Sequence, residues 1–252
     1  MQSLKILILL LIVAQSLWAC KKDPEPAPVI PPVFVKADCK VLFVGNSYTY
    51  YNDGVDFHLQ KMLRADSSSD SINYVMDKIA VGAYTLEAHF NDPLTITKIK
   101  SQKWNTVVLQ EQSTRPINNP ALFSEYAGKL DVEIKKINAK TFLYMTWATK
   151  DAPKDMDSLE ASYLSVGKQL NAQVAPVGKV WEYIQKTNPQ IELYISDNKH
   201  PTLSGTYTVA CVFYFSMFKK NPVENIYIPS GMSTANAVAI RKAVNDYMIL
   251  NQ

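Results

Sequence analysis

The sequence predicts an α/β domain in which helices cover both faces of a mostly parallel sheet of about five strands, a three-layer α/β/α arrangement. Three observations lead there. After residue 38, short apolar runs rich in β-forming residues alternate with stretches of helical spacing. Runs such as Val41-Leu-Phe-Val44 and Val107-Val-Leu109 are continuous rather than alternating, as in strands buried on both faces. A chain of 252 residues, 47% of them hydrophobic, suffices for one sizeable core once its leader is set aside.

The elements follow in order. Lys40–Gly45 reads as the first strand, ended by Gly-Asn-Ser, and Val55–Ala65 as a helix with Val55, Leu59, Met62 and Leu63 on one side. Ile72–Val81 is the second strand, Leu86–Ile99 a helix broken or kinked at Pro93, and Thr106–Leu109 the third strand. Pro120–Ile137 is a helix opened by proline, where a missing N–H costs least. Thr141–Trp147 is the fourth strand, Ser158–Val174 a helix, Ala175–Gly178 a brief strand and Lys179–Thr187 a helix. Ile191–Ile195 reads as a short strand or extended loop, Leu203–Phe218 as a helix apolar enough to be buried on most sides, and Thr234–Leu250 as the last, amphipathic helix. The aromatic run from Val212 to Phe218 belongs to that buried helix.

The N-terminus reads differently. Lys5 gives a positive start, Ile6 to Ala14 is almost unbroken apolar sequence, and Leu17-Trp18-Ala19-Cys20 follows. This is a secretory signal, too short for a comfortable membrane span. Its Leu-x-Ala-Cys ending resembles the bacterial lipobox, which implies a signal peptide over residues 1–19 and lipidation of Cys20. The proline-rich stretch that follows cannot form a helix or central strand, so residues 20–37 read as lipidated Cys and extended tether, and 38–252 as the domain. The expected setting is the bacterial cell envelope, exported and held to a membrane by lipid.

The formal net charge is +3, from interspersed charges with no long basic stretch, so no nucleic-acid partner is expected. Cys39 and Cys211 fall in apolar elements; an exported compartment permits a disulfide between them, but they read more readily as two small buried hydrophobes. No Cys/His cluster has metal spacing, and neither a metal nor a cofactor is expected.

Ligand sites in parallel sheets lie beyond the carboxyl ends of the strands. There the chain carries Gly45-Asn46-Ser47-Tyr48-Thr49, then Val81-Gly82-Ala83, then Gln110-Glu111-Gln112-Ser113, and late in the sequence Asp197-Asn198-Lys199-His200-Pro201. A Ser hydroxyl becomes a nucleophile when a base removes its proton, and His is the usual base near neutral pH. A carboxylate fixes the tautomer of that His, and the developing oxyanion needs preorganised donors. A serine at a strand-to-helix turn, a glycine at the next strand end and a side-chain amide supply such donors.

These four blocks, spanning about residues 40 to 205 in order, resemble those of the SGNH hydrolases, the GDSL-like lipases and esterases. The resemblance implies a flavodoxin-like parallel sheet, with Ser47 as nucleophile, His200 as base and Asp197 as its partner. It also implies the amides of Ser47 and Gly82 as oxyanion donors. The sequence departs from the family pattern twice. Asn46 replaces the usual Asp, which should leave the nucleophile unaffected. The third block reads Gln110-Glu111-Gln112-Ser113, and an ungapped alignment puts Gln112 at the oxyanion side chain, or Gln110 if the strand ends a residue or two earlier.

Blander roles stand beside these. Ser47 could cap the helix after it, and Asp197 could be a turn residue. His58 and His89, the other two histidines, read as surface or packing residues. Glu111 reads as an acid or base, or more readily as a loop organiser pointing away, for instance by pairing with Arg115. Trp147 and Tyr48 read equally well as core and as ligand platforms. The expected function is a serine esterase; the resemblance implies O-acetylated carbohydrate as its substrate class, with a lipid or short-chain ester as the alternative. The rival is a catalytically silent glycan-binding lipoprotein that keeps the fold.

Overall fold

The computed structural model describes residues 37–66 and 71–251. The expected signal peptide at 1–19, Cys20 and all but the last residue of the expected tether therefore lie outside the described residues. The strands are β1 (Ala37–Gly45), β2 (Ile72–Ala80), β3 (Thr106–Leu109), β4 (Lys140–Tyr144) and β5 (Gln173–Ala175). They form one all-parallel sheet in the order β2-β1-β3-β4-β5. The chain steps from β1 outward to β2 and then crosses to β3 on the other side, so the order reverses between β1 and β3. That is where an open parallel sheet leaves a crevice at its carboxyl edge.

The sheet is central because its strands are apolar on both faces, and successive side chains alternate between those faces. Val41 and Phe43 of β1 pack with α2 (Val55–Arg64), α8 (Val177–Thr187), α9 (Leu203–Phe218) and α10 (Thr234–Leu250). Leu42 and Val44 pack with α3 (Leu86–Asn91), α4 (Pro93–Lys100), α6 (Pro120–Lys136) and α7 (Asp155–Leu170). The expected three-layer fold is therefore present. Two short helices at the carboxyl rim, α1 (Ser47–Tyr50) and α5 (Arg115–Asn118), were not legible in the apolar spacing.

Several boundaries differ from expectation for local reasons. Pro93 ends α3, and Asp92 accepts from Leu94 N–H to start α4. α7 stops at Leu170 because Asn171 turns left-handed, with φ 52°, which frees Gln173–Ala175 to pair with β4. Of the expected strand at Ala175–Gly178, Ala175 ends β5, while Val177 and Gly178 open α8 instead. β4 ends at Tyr144, opposite Ala175, where its outer partner runs out. The stretch Ile191–Ile195 contributes one isolated antiparallel bridge, Tyr194 to Pro201. Cys211 is buried and Cys39 half-buried, both free thiols. No described helix is long and apolar enough to cross a membrane.

Candidate active site

Strand register assembles the site. Gly45 lies beside Ala80, and Val44 beside Leu109, so the loops after β1, β2 and β3 leave the sheet on one line. The chain turns sharply after Gly45. A Cβ there would fall 2.5 Å from both Gln110 Oε1 and Thr49 Oγ1, so the close packing of the turn requires glycine. Asn46, not Ser47, caps α1: its Oδ1 accepts from Tyr48 N–H at 3.2 Å. That Oδ1 also accepts from Gln110 Nε2 at 3.0 Å, while Nδ2 donates to Tyr84 O at 2.9 Å. An aspartate could not make the last bond, so the departure at Asn46 ties the β2 loop to the turn that bears Ser47. Ser47, relieved of capping, faces His200, with Oγ 2.8 Å from Nε2.

His200 arrives on the loop between Tyr194 and Pro201. Asn198 is left-handed at φ 61°, and the Asp197 carboxylate closes the turn. Its Oδ1 accepts from Lys199 N–H and His200 N–H, each at 2.9 Å, and its Oδ2 accepts from His200 Nδ1 at 2.5 Å. A carboxylate is acceptor only, so Nδ1 carries the proton and Nε2 is left to accept from Ser47. Burial raises the Asp197 carboxyl, but the bonds from the His200 ring and from the two amides outweigh it and hold the group down at about 2. Tyr51 lies face-on to the imidazole, centroids 4.6 Å apart and 11° from parallel, and Tyr48 meets it edge-on.

Tyr51 is held by a strained turn. Asn52, Asp53 and Gly54 have φ of 52°, 70° and 99° in succession. Asn52 Nδ2 donates to Pro201 O and Thr206 Oγ1, and His58 Nε2 donates to Asn52 O. His58 is thus a buried structural group, as is His89, whose Nε2 donates to Gly45 O at 2.7 Å. Burial lowers both imidazoles, and in the neutral form each has a polar partner on both ring nitrogens. Neither histidine is a surface residue.

The two glutamines separate cleanly. Gln110 is fully buried: Oε1 accepts from Asn46 N–H and Thr49 Oγ1, and Nε2 donates to Asn46 Oδ1 and Glu111 O. All four of its hydrogen-bonding positions are used, so it has nothing to offer an oxyanion. Gln112 differs. Thr114 N–H, Thr114 Oγ1 and Arg115 N–H converge on its Oε1, which fixes the orientation of the amide. Its Nε2 gives one proton to Ser113 Oγ and keeps a second.

Gln112, Gly82 and Ser47 line one cavity of about 530 Å³ with Tyr50, Tyr51 and His200. Ser47 also offers the first backbone N–H of α1, which has no intrahelical partner.

Glu111 is fully buried and organises the loop, but not through Arg115, which donates to Glu87 at 2.9 Å. Trp147 is core: 1% exposed, it stacks on Trp181 at 3.9 Å and on Tyr48 at 4.3 Å. Its Nε1 donates to Lys199 O, beside His200. Tyr48 is equally buried, with one edge on the cavity. Among the described residues no group of three or more His, Cys, Asp or Glu is placed to hold a metal ion. The sequence reading missed Tyr51 and the turn after it. The Asn-Asp-Gly triplet was the available signal, since those residues tolerate left-handed backbone.

No protein-family model and no curated protein matches the sequence. Solved structures do resemble it. A DUF4886 family protein from Bacteroides uniformis aligns at 17% identity and TM-score 0.67, covering 84% of this chain and 95% of its own. A candidate SGNH hydrolase from Slackia heliotrinireducens aligns at 22% identity and TM-score 0.61, covering 71% and 99%. The acetyl xylan esterase AlAXEase aligns at 18% identity and TM-score 0.57, covering 69% and 98%. The fold of this chain is that of the SGNH hydrolases.

Proposed function

We propose that the protein is a serine ester hydrolase in which His200 takes the proton of Ser47 Oγ as Oγ attacks the ester carbonyl. Asp197 steadies the imidazolium. The N–H groups of Ser47 and Gly82 and the free Nε2 proton of Gln112 receive the oxyanion. Collapse of the tetrahedral intermediate breaks the bond to the alcohol, which leaves with the proton from Nε2. Water, deprotonated by His200, then cleaves the acyl-enzyme and releases the acid. The observation that carries this reading is the unbroken line from Ser47 Oγ through both ring nitrogens of His200 to Asp197 Oδ2, opening on the cavity with Gly82 and Gln112.

The substrate we propose is a short-chain ester, with O-acetylated carbohydrate as the preferred class. The largest purely aliphatic side chain lining the cavity is that of Ala83. A long acyl chain gains about 0.8 kcal/mol per methylene from apolar burial, and this lining offers little of it. Tyrosine rings and the hydroxyls of Ser113, Thr114 and Thr149 suit a polyhydroxylated alcohol. We extend the proposal to the N-terminus: Cys20 is lipidated and holds the exported domain at a bacterial membrane surface. Cys20→Ser should then leave the protein in the soluble fraction.

A fluorophosphonate probe tests the chemistry. It should label the wild type covalently and Ser47→Ala not at all, and the wild type should hydrolyse p-nitrophenyl acetate at neutral pH. Absence of both labelling and turnover would overturn the esterase reading in favour of a glycan-binding protein on the same fold.

A further inference from the structure

We propose that Glu111 is the positioning residue of the oxyanion cradle, a buried carboxylate that fixes the loop bearing Gly82 against the loop bearing Gln112. The inference rests on the reading of those two residues as oxyanion donors. A single oxygen, Oε1, accepts from Leu86 N–H at 3.1 Å and from Gln112 N–H at 2.6 Å. Leu86 follows Gly82 by four residues and begins α3, and Gln112 is the donor itself. Two strand-end loops remote in sequence are thereby set by one atom. A shift of either amide would move a donor relative to Ser47, and oxyanion stabilisation falls steeply with misplacement.

The group is costly to keep. Glu111 has no exposed surface, and Oε2 accepts no hydrogen bond among the described residues. A glutamine would satisfy the same two amides without burying an ionisable group. What the carboxylate adds is strength, because an ionised acceptor binds N–H roughly twice as strongly as a neutral one. Arg115 of α5, paired to Glu87 of α3, and the Tyr163 phenol of α7 are the charged and titratable groups around it. Burial pushes its carboxyl up to about 7, against the pull of the Gln112 and Leu86 amides and of Arg115. The clamp therefore passes from acid to carboxylate across the neutral range and tightens as pH rises.

Glu111→Gln and Glu111→Ala test this on the full chain with p-nitrophenyl acetate from pH 5.5 to 8.5. Glu111→Ala should lower kcat by about 10-fold or more with KM within about twofold, since the donors act on the transition state. Glu111→Gln should match the wild type at the acid end and fall several-fold behind it at the alkaline end, the ratio changing around pH 7. A folding role alone would leave that ratio flat. Ionisation of a carboxyl raised above its ordinary value costs stability, which is retained at acid pH and lost as pH climbs through about 7. Glu111→Gln should accordingly gain Tm over the wild type at pH 8 and not at pH 5.

A flat wild-type to Glu111→Gln ratio overturns the proposal, as does full kcat in Glu111→Ala. Should Glu111→Ala fail to fold, the Glu111→Gln ratio decides alone. Fluorophosphonate labelling of the wild type separates failure of this proposal from failure of the esterase reading.

Discussion

Asp197 holds His200 across three residues, with 39% of its side chain in solvent, whereas Gln110 holds Asn46 across 64 residues with none of its own exposed. The His200 side of the cleft is a surface loop closed by its own carboxylate. The side that bears Ser47 and Gln112 is an extension of the core, floored by Gln110, Glu111 and His89. An exposed local turn can lose its carboxylate and keep the fold. A buried network that joins three strand ends is stability and function at once, because unmade buried hydrogen bonds carry the full cost of desolvation.

Three substitutions sharpen that contrast. Asp197→Asn should have the largest effect on turnover, lowering kcat by about 10³-fold as His200 loses its tautomer, while Tm moves little. Gln112→Ala should lower kcat by about 10²-fold with KM and Tm nearly unchanged, as expected for one oxyanion donor on a part-exposed loop. Gln110→Ala should reverse the pattern. It strands Asn46 N–H and the Thr49 hydroxyl, at about 1 kcal/mol or more each, so Tm drops by several degrees before activity is considered. Thermal melts run beside kcat measurements check all three. A Tm loss in Asp197→Asn equal to that in Gln110→Ala would break the comparison.

The same asymmetry governs what the sequence makes legible. Asp197-x-x-His200-Pro201 can be read because its hydrogen bonds run between neighbours, and proline fixes the exit. The strand order can be read because a doubly covered parallel sheet leaves unbroken apolar runs. Gln110 and Gln112 sit two residues apart in similar wording, and only the register of β1 against β3 decides that the first faces inward to Asn46 and the second to the cavity. Glu111 looked ready to pair with Arg115, but Glu87, from a helix after another strand, takes that guanidinium. His58 and His89 gave little local sign of burial, since one partner of each, Tyr227 OH and Gly45 O, lies 169 and 44 residues away. Tyr51 was overlooked because its value depends on a backbone reversal after it, which apolar spacing does not report.

Trp147 carries one further consequence. Its ring lies between Tyr48, the residue after Ser47, and Trp181, while its N–H grips the carbonyl of Lys199, the residue before His200. One indole is thus mechanically attached to both halves of the Ser47–His200 pair. A near-parallel indole pair couples its electronic transitions, so the near-ultraviolet circular dichroism and emission of this protein should carry a built-in optical gauge of how the two halves stand to each other. Occupancy of the cleft could then be followed without an added dye.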